Sequence, residues 1–299
     1  VGVTVSIIIP CYNYARFLGQ AIESALSQTV TSEVIVVNDG STDDSAEVAR
    51  RYPVHLIDQK NQGPGTTFNN GVAASRGEYF LLLSADDLVH PRFIESALPT
   101  LIENRIAFAF THAVTFGTEH AILLNQEYSI IRLGLGGYMG GGVLMRRDAY
   151  DAVGGYDPAM RHGEDWDLWL RLAERGLYGK LVPRILFAYR KHGTGLAEKN
   201  SLPVRWKHLW QLYRKHPRTL RWQSMVRLGA YDILFFLASN ARRISPEGYA
   251  KLRDHLKFAR PKLGGVERTR HLAMINGDDL GYAEMITYLA MMGWKLEST

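Results

Sequence analysis

Two rhythms of apolar and polar positions alternate along the first hundred residues. Val3–Pro10 (VTVSIIIP), Glu33–Asn38 (EVIVVN), Val54–Asp58 and Tyr79–Ser84 are short, nearly unbroken apolar runs. Runs of that length read as strands buried on both faces. Between them the spacing turns helical: Phe17, Leu18, Ala21, Ile22, Ala25 and Leu26 recur within Tyr14–Gln28. Further helices are predicted from the turn at Asp39–Asp44 to about Tyr52, over Gly63–Arg76 and over Pro91–Glu103, with Pro91 suited to a first turn. A strand–helix–strand–helix order predicts an α/β fold, a mostly parallel mixed sheet flanked by helices. Strands are also predicted at Ala107–Val114, at the start of VLMRRDAYDAVGGYD and at Leu181–Tyr189, with a helix over Glu164–Arg175.

Beyond about Leu202 the texture changes to helix-like segments rich in Trp, Leu and Arg. Charge follows the same division. Residues 1–199 carry 18 Lys+Arg against 22 Asp+Glu (−4), and residues 200–299 carry 17 against 8 (+9). No nucleic-acid module accompanies the basic charge. Its aromatic and basic residues fit either peripheral contact with an anionic membrane surface or packing on the rest of the chain or a second subunit. No apolar run reaches the ~18 residues of a membrane span, and VTVSIIIP has no basic region before it, so it reads as a strand and not a leader. The single cysteine, Cys11, excludes an intrachain disulfide and fits a cytoplasmic setting.

Ligands of such sheets collect at the carboxyl ends of the strands. Pro10–Tyr12, Asp39 and the adjacent Asp86 and Asp87 all follow predicted strands. Two neighbouring carboxylates suit Mg²⁺ or Mn²⁺, or else cap the helix at Pro91. Asp39 can accept from a nucleobase or a ribose, or else it or Ser41 caps a helix. In RHGEDWDLWLRL, Asp165 is a candidate general base, and the acids Glu164, Asp165 and Asp167 also suit a helix N-terminus. YRKHGTG places Arg190, Lys191 and His192 together as a cationic cluster or a solvated loop.

Taken in order, IIIPCYN, VIVVNDGSTDDS, NQG, SADD and GEDWDLWLRL resemble the family 2 inverting glycosyltransferases of the GT-A fold, over roughly residues 3–195. The resemblance implies a Rossmann-like GT-A catalytic domain over 1–200, with a nucleotide-binding half (1–105) and an acceptor-binding half (106–200), and the texture and charge beyond it read as a basic, mainly helical extension (201–299). It implies that Pro10, Tyr12, Asn13, Asp39 and Asp86 bind the nucleotide. Asp87, with Asp86 and His192, would hold Mn²⁺ or Mg²⁺. Arg190 and His192 would meet the diphosphate, Asp165 with Glu164 would do the proton chemistry, and Trp166 would line the acceptor site. Donor and acceptor would be a nucleotide-diphosphate sugar, UDP favoured, and a glycan or lipid-linked hydroxyl, in a protein that is cytoplasmic or peripheral at the inner membrane face. The oligomeric state stays open.

The chain departs from the family pattern at Ser84, where many members have Asp, and at Asn38 before Asp39. It also lacks the QxxRW of processive members, so a non-processive enzyme is expected. The rivals are a non-catalytic sugar-nucleotide or glycan-binding protein and a sugar-phosphate nucleotidyltransferase. The second would prefer a glycine-rich basic loop where this chain has CYNYARF.

Overall fold

The computed structural model describes residues 4–102, 106–133, 142–160, 162–193, 202–220, 266–269 and 281–294. The first half of the chain runs β1 (Val5–Cys11), α1 (Ala15–Leu26), β2 (Ser32–Asn38), α2 (Ser45–Arg50), β3 (His55–Asp58), α3 (Pro64–Ala74), β4 (Tyr79–Leu82), β5 (Leu88–Val89) and α4 (Phe93–Ile102). It continues through β6 (Ile106–Gly117), β7 (Ala121–Asn125), α5 (Ile130–Leu133), β8 (Val143–Arg146), α6 (Arg147–Ala152), α7 (Glu164–Glu174) and β9 (Tyr178–Lys191). The described parts of the C-terminal region are α8 (Leu202–Lys215), β10 (Val266–Thr269) and α9 (Tyr282–Met291).

One mixed sheet carries the strands in the order β10-β7-β6-β8-β4-β1-β2-β3, with β9 paired to β5 and β6. β3, β2, β1 and β4 are parallel, joined by helical crossovers. β8, β7 and β10 join antiparallel, β7 by a hairpin from β6.

Alternation explains why both faces are covered. Val5, Ile7, Ile9, Val34, Val36 and Leu81 point to one face and meet Leu18, Ile22, Phe93 and Ile94 of α1 and α4. Their neighbours Ile8, Ile35, Val37, Phe80 and Leu82 point to the other and meet Val72, Leu168 and Trp169. α3 reaches this face because residue 71 is glycine: a Cβ there would lie 2.4 Å from Ile8 Cγ2.

The C-terminal pieces pack on the same body. Leu212 of α8 and Leu220 just beyond it join the cluster around Leu168 and Trp169. Tyr282, Met285 and Leu289 of α9 bury against Leu88, Val114 and Ile185. Among the described residues no helix is long and apolar enough to cross a membrane.

β6 and β9 run longer than their apolar cores predict, because they pair with each other in parallel over their whole length, through bulges. β5 and β10 escape prediction since each is short and exists by pairing with a distant partner, as Leu88 does with Ala188, and β7 is a short strand made by its hairpin with β6. The glycine-rich run 134–141, the apolar run 231–238 and the Gly-Asp-Asp at 277–279 lie outside the described residues.

Candidate active site

The loops that follow β1 and β2 are sewn together. Asn13 is the one non-glycine residue with a left-handed backbone (φ 59°) among the described residues, a conformation Asn tolerates better than most. Its side-chain oxygen accepts the Thr42 N–H at 2.7 Å, and its own N–H donates to Ser41 Oγ at 3.0 Å. Asp43 accepts the Ala15 N–H at the start of α1 (3.0 Å). Tyr12 stands exposed at the end of β1, and Pro10 is half-buried.

Asp39 is buried. Its Oδ1 accepts from Gln59 Nε2 (2.7 Å) and the Gln62 N–H (2.8 Å), and its Oδ2 accepts the Gly63 N–H (2.9 Å). The carboxylate thus fixes the loop that opens α3, and no side chain caps α2. A carboxylate has about four lone-pair sites, so Oδ2 retains room for one more donor.

Asp86 and Asp87 face different surroundings. Asp87 is 2% exposed, and its Oδ1 accepts the Arg190 backbone N–H at 2.8 Å. Burial, with the Asp86 charge added, pushes its pKa well above the usual carboxylate range. Asp86 is half-buried, with Oδ2 3.0 Å from His192 Nε2. The His192 ring rests against Phe17 (centroids 4.8 Å apart) and Tyr14 (5.8 Å). Neither aspartate caps α4.

Arg190 clamps this strand end from within. Its Nε donates to the Asp86 carbonyl (2.7 Å) and its Nη2 to Gln20 Oε1 (2.8 Å). The guanidinium lies over the rings of Phe17 (4.6 Å) and Phe116 (4.3 Å), and burial lowers its pKa. Gln20 in turn donates to the Met292 carbonyl just past α9 (2.8 Å). Among the described residues no three His, Cys, Asp or Glu side chains converge as a metal site. Asp86, Asp87 and His192 therefore divide into an Asp86–His192 pair and an aspartate turned to the backbone.

α7 begins from Gly163, in the left-handed region (φ 70°) and without a side-chain cap. Glu164 and Asp165 follow in its first turn. Tyr156, 1% exposed, donates its hydroxyl to Asp165 Oδ1 at 2.7 Å. Asp165 is open to solvent, yet the protein packed around it strips enough water to raise its pKa, against the lowering effect of the Tyr156 hydroxyl. Its open surface limits that rise. Burial first, then the Asp165 charge, push Glu164 up to about 7. Trp166 donates its indole N–H to the Leu133 carbonyl (2.8 Å) and packs on the core.

These contacts form one rim. It runs from Asp86 to His192, across Tyr14 and Phe17 to the Asn13 and Ser41–Thr42 loops, and on to Asp39. Asp39 holds the first turn of α3, where a Cβ on Gly65 would come 3.2 Å from that of Tyr156, and Tyr156 holds Asp165. Shallow cavities lined by Glu33 and Arg76 lie at the amino ends of β1 and β2, the edge away from this rim. Tyr156, Gln20, Tyr14 and Phe17 were not anticipated as site residues. An aromatic residue after Gly-Gly, nine positions before Asp165, is the one signal the sequence carried.

Residues 6–154 match the family model described as Glycosyl transferase family 2. An uncharacterized glycosyltransferase of Rickettsia typhi is 45% identical over 100 residues, 32% of this chain and 31% of that protein. Another, from Rickettsia conorii, is 33% identical over 186 residues, 56% of this chain and 31% of that protein. The chain spans about a third of the length of these curated relatives. Among solved structures, S. aureus TarS 1-349 in complex with UDP-GlcNAc superposes with a TM-score of 0.60 at 15% identity, over 98% of this chain and 93% of that one. A mannosyltransferase of Pyrobaculum calidifontis in complex with GDP-Man and Mn²⁺ gives 0.57 at 17% identity, over 97% and 84%. At these identities the likeness is one of fold: a GT-A-like mixed sheet flanked by helices.

Proposed function

Because the chain belongs to glycosyl transferase family 2 through residues 6–154, we propose that it moves a sugar from a nucleoside-diphosphate donor to an acceptor hydroxyl, with inversion at the anomeric carbon. The observation that carries this reading is the continuous rim from Asp86–His192 through Asp39 to Asp165. It puts the proposed nucleotide-binding groups and the proposed base on one edge of the sheet, and a single in-line displacement needs both together.

Asp165 takes the acceptor hydroxyl's proton as that oxygen bonds to the anomeric carbon. The bond to the diphosphate oxygen breaks on the opposite face, and the nucleoside diphosphate leaves with the electron pair. No enzyme nucleophile is needed. A carboxylate with a raised pKa, open to solvent and ionised by a fixed donor, suits general-base work. Asp39 Oδ2 retains room for one N–H, which fits the single N3–H of uracil, and a UDP-sugar is the first choice of donor. Tyr12 lies exposed beside it.

One carboxylate and one imidazole, Asp86 and His192, fit Mn²⁺ or Mg²⁺, which are commonly held by one or two protein groups and completed by substrate phosphates. When bound, such an ion neutralises charge developing on the leaving diphosphate. Asp87 then serves to hold β9 against the strand end. The acceptor is a glycan or lipid-linked hydroxyl, and the reaction belongs to non-processive surface-polysaccharide or glycoconjugate assembly. TarS, crystallised with UDP-GlcNAc, and the P. calidifontis enzyme, with GDP-Man and Mn²⁺, share this fold and support the donor class.

Calorimetric binding of UDP, GDP and dTDP, each with and without Mn²⁺, identifies the base. Turnover of sugar nucleotides of that base by the parent and by Asp165→Asn then tests the mechanism. The variant is expected to bind donor normally and release nucleoside diphosphate at least about 10²-fold more slowly. Equal rates in the two proteins would overturn Asp165 as the base.

A further inference from the structure

We propose that Tyr156 is a positioning residue that decides which of two adjacent carboxylates, Glu164 or Asp165, stays ionised. The inference rests on the reading of Asp165 as the base and goes one step further: the fold contains a device that assigns that role.

Adjacent carboxylates at a partly desolvated site share their protons. Which one gives up its proton first depends on what each can accept. Asp165 accepts a hydroxyl from a buried side chain at 2.7 Å, and a donor of that kind favours the ionised form. Among the described residues, Glu164 is helped only by its own backbone N–H. The proton therefore rests on Glu164 and the negative charge on Asp165.

The phenol can do this at any working pH. Burial, with the Asp165 charge added, pushes the Tyr156 pKa well above its ordinary value, so the hydroxyl keeps its proton to donate. Its direction is set by packing. Phe68 stacks on the ring, with centroids 5.4 Å apart and planes inclined by 22°. Asn69 of α3 clasps the Tyr156 backbone on both sides, accepting its N–H (2.9 Å) and donating to its carbonyl (2.9 Å). The Tyr150 hydroxyl completes the clasp on Asn69 Oδ1.

Among the described residues, the charged and titratable groups about Asp165 are few. Glu164 neighbours it on α7 and Tyr156 faces it from the preceding turn. Tyr150 of α6 stands behind Tyr156 and feels Asp165, Asp151 and Arg171. Among these, Tyr156 alone hydrogen-bonds the Asp165 carboxylate.

The test needs no substrate. The side-chain carboxyl carbons of Asp165 and Glu164, labelled with ¹³C and assigned with Asp165→Asn and Glu164→Gln, are titrated by NMR in the parent and in Tyr156→Phe. In the parent Asp165 ionises below Glu164. In Tyr156→Phe the Asp165 midpoint rises by about one pH unit and the gap between the two narrows, an about tenfold loss of ionised Asp165 below its midpoint. A fluorinated tyrosine at position 156, a stronger donor of the same shape, moves the midpoint the other way and serves if the Phe variant does not fold. Unchanged midpoints in both proteins would overturn the inference, because a merely structural tyrosine leaves them in place. Failure of the base reading is seen separately: Asp165→Asn would then release nucleoside diphosphate at the parent rate.

Discussion

Asp167 offers the sharpest test of how the C-terminal region supports the site. It sits two residues past Asp165 on α7 and is 0% exposed. Its Oδ1 meets His216 Nε2 at 3.0 Å and Lys215 Nζ at 2.6 Å, and its Oδ2 meets Arg171 Nε at 2.7 Å. The other ring nitrogen of His216 faces Glu174 at 3.0 Å. Burial works against the Asp167 charge, but His216, Lys215 and Arg171 outweigh it and bring its pKa down to about 2. A carboxyl held near 2 instead of 3.8 contributes about 2 kcal/mol of stability. Since the folded pKa is the lower one, that contribution is complete above about pH 4 and is lost as pH falls toward 2. Replacing Asp167 by Asn costs more than this charge term, because it leaves cationic donors facing a group that cannot satisfy them. Loss of one member of a buried ion pair costs about 3–5 kcal/mol. Urea unfolding at pH 7, followed by tryptophan fluorescence, should show Asp167→Asn destabilised by about 3 kcal/mol, and a cycle with His216→Asn should be non-additive by more than about 0.5 kcal/mol. A loss below about 0.5 kcal/mol, or simple additivity, would refute the claim that these residues join α8 to α7 as one unit.

Three further outcomes are expected. Gly71→Ala places a methyl 2.4 Å from Ile8 Cγ2 and should cost about 1–3 kcal/mol in a urea melt, since overpacking pushes α3 off the sheet. His192→Ala should weaken Mn²⁺-dependent nucleotide binding at least about tenfold in calorimetry, while metal-free binding stays near the parent value; equal loss in both would mean that His192 supports the pocket wall instead. Glu164→Gln removes a group held at about 7, so a titration near neutral pH should vanish from the pH–rate profile while the acid limb due to Asp165 persists.

The first half of the molecule was legible because its signals are local. Ile7, Ile8 and Ile9 read as a strand buried on both sides whatever follows them, and the Phe17–Leu26 spacing reads as a helix face. Asp39, Asp86 and Asp165 were visible as carboxylates at element ends, where ligands gather. What lay hidden depends on partners far along the chain. Nothing near Asp87 tells that it will be buried, since its acceptor role is created when β9 brings the Arg190 N–H to it from 103 positions away. The resemblance gave Arg190 a diphosphate role, with a solvated loop as the alternative. Here Phe17 and Phe116 sandwich it, and two of its donors close on the Asp86 carbonyl and Gln20. Trp166, expected at the acceptor, is anchored to Leu133. The helical reading of 202–215 held, and its packing reading is the one that Leu212 and Leu220 support.

These distant partners have a common consequence. Both ends of the proposed site are braced from the C-terminal region. On the nucleotide side the Met292 carbonyl holds Gln20, which holds Arg190, which holds the strand end bearing Asp86. On the base side Lys215 and His216 hold Asp167 in the first turns of the helix bearing Asp165. The family match ends at residue 154, before Asp165, Arg190 and either brace. A fragment cut near residue 200 would keep every carboxylate of the proposed chemistry and lose both supports. Neither support carries a carboxylate of the proposed chemistry, but fixing those carboxylates matters because misplacement of reacting groups by about 1 Å can cost about 10²-fold in rate. Such a fragment should therefore bind nucleotide more weakly and turn over far more slowly than the full chain, even where it folds.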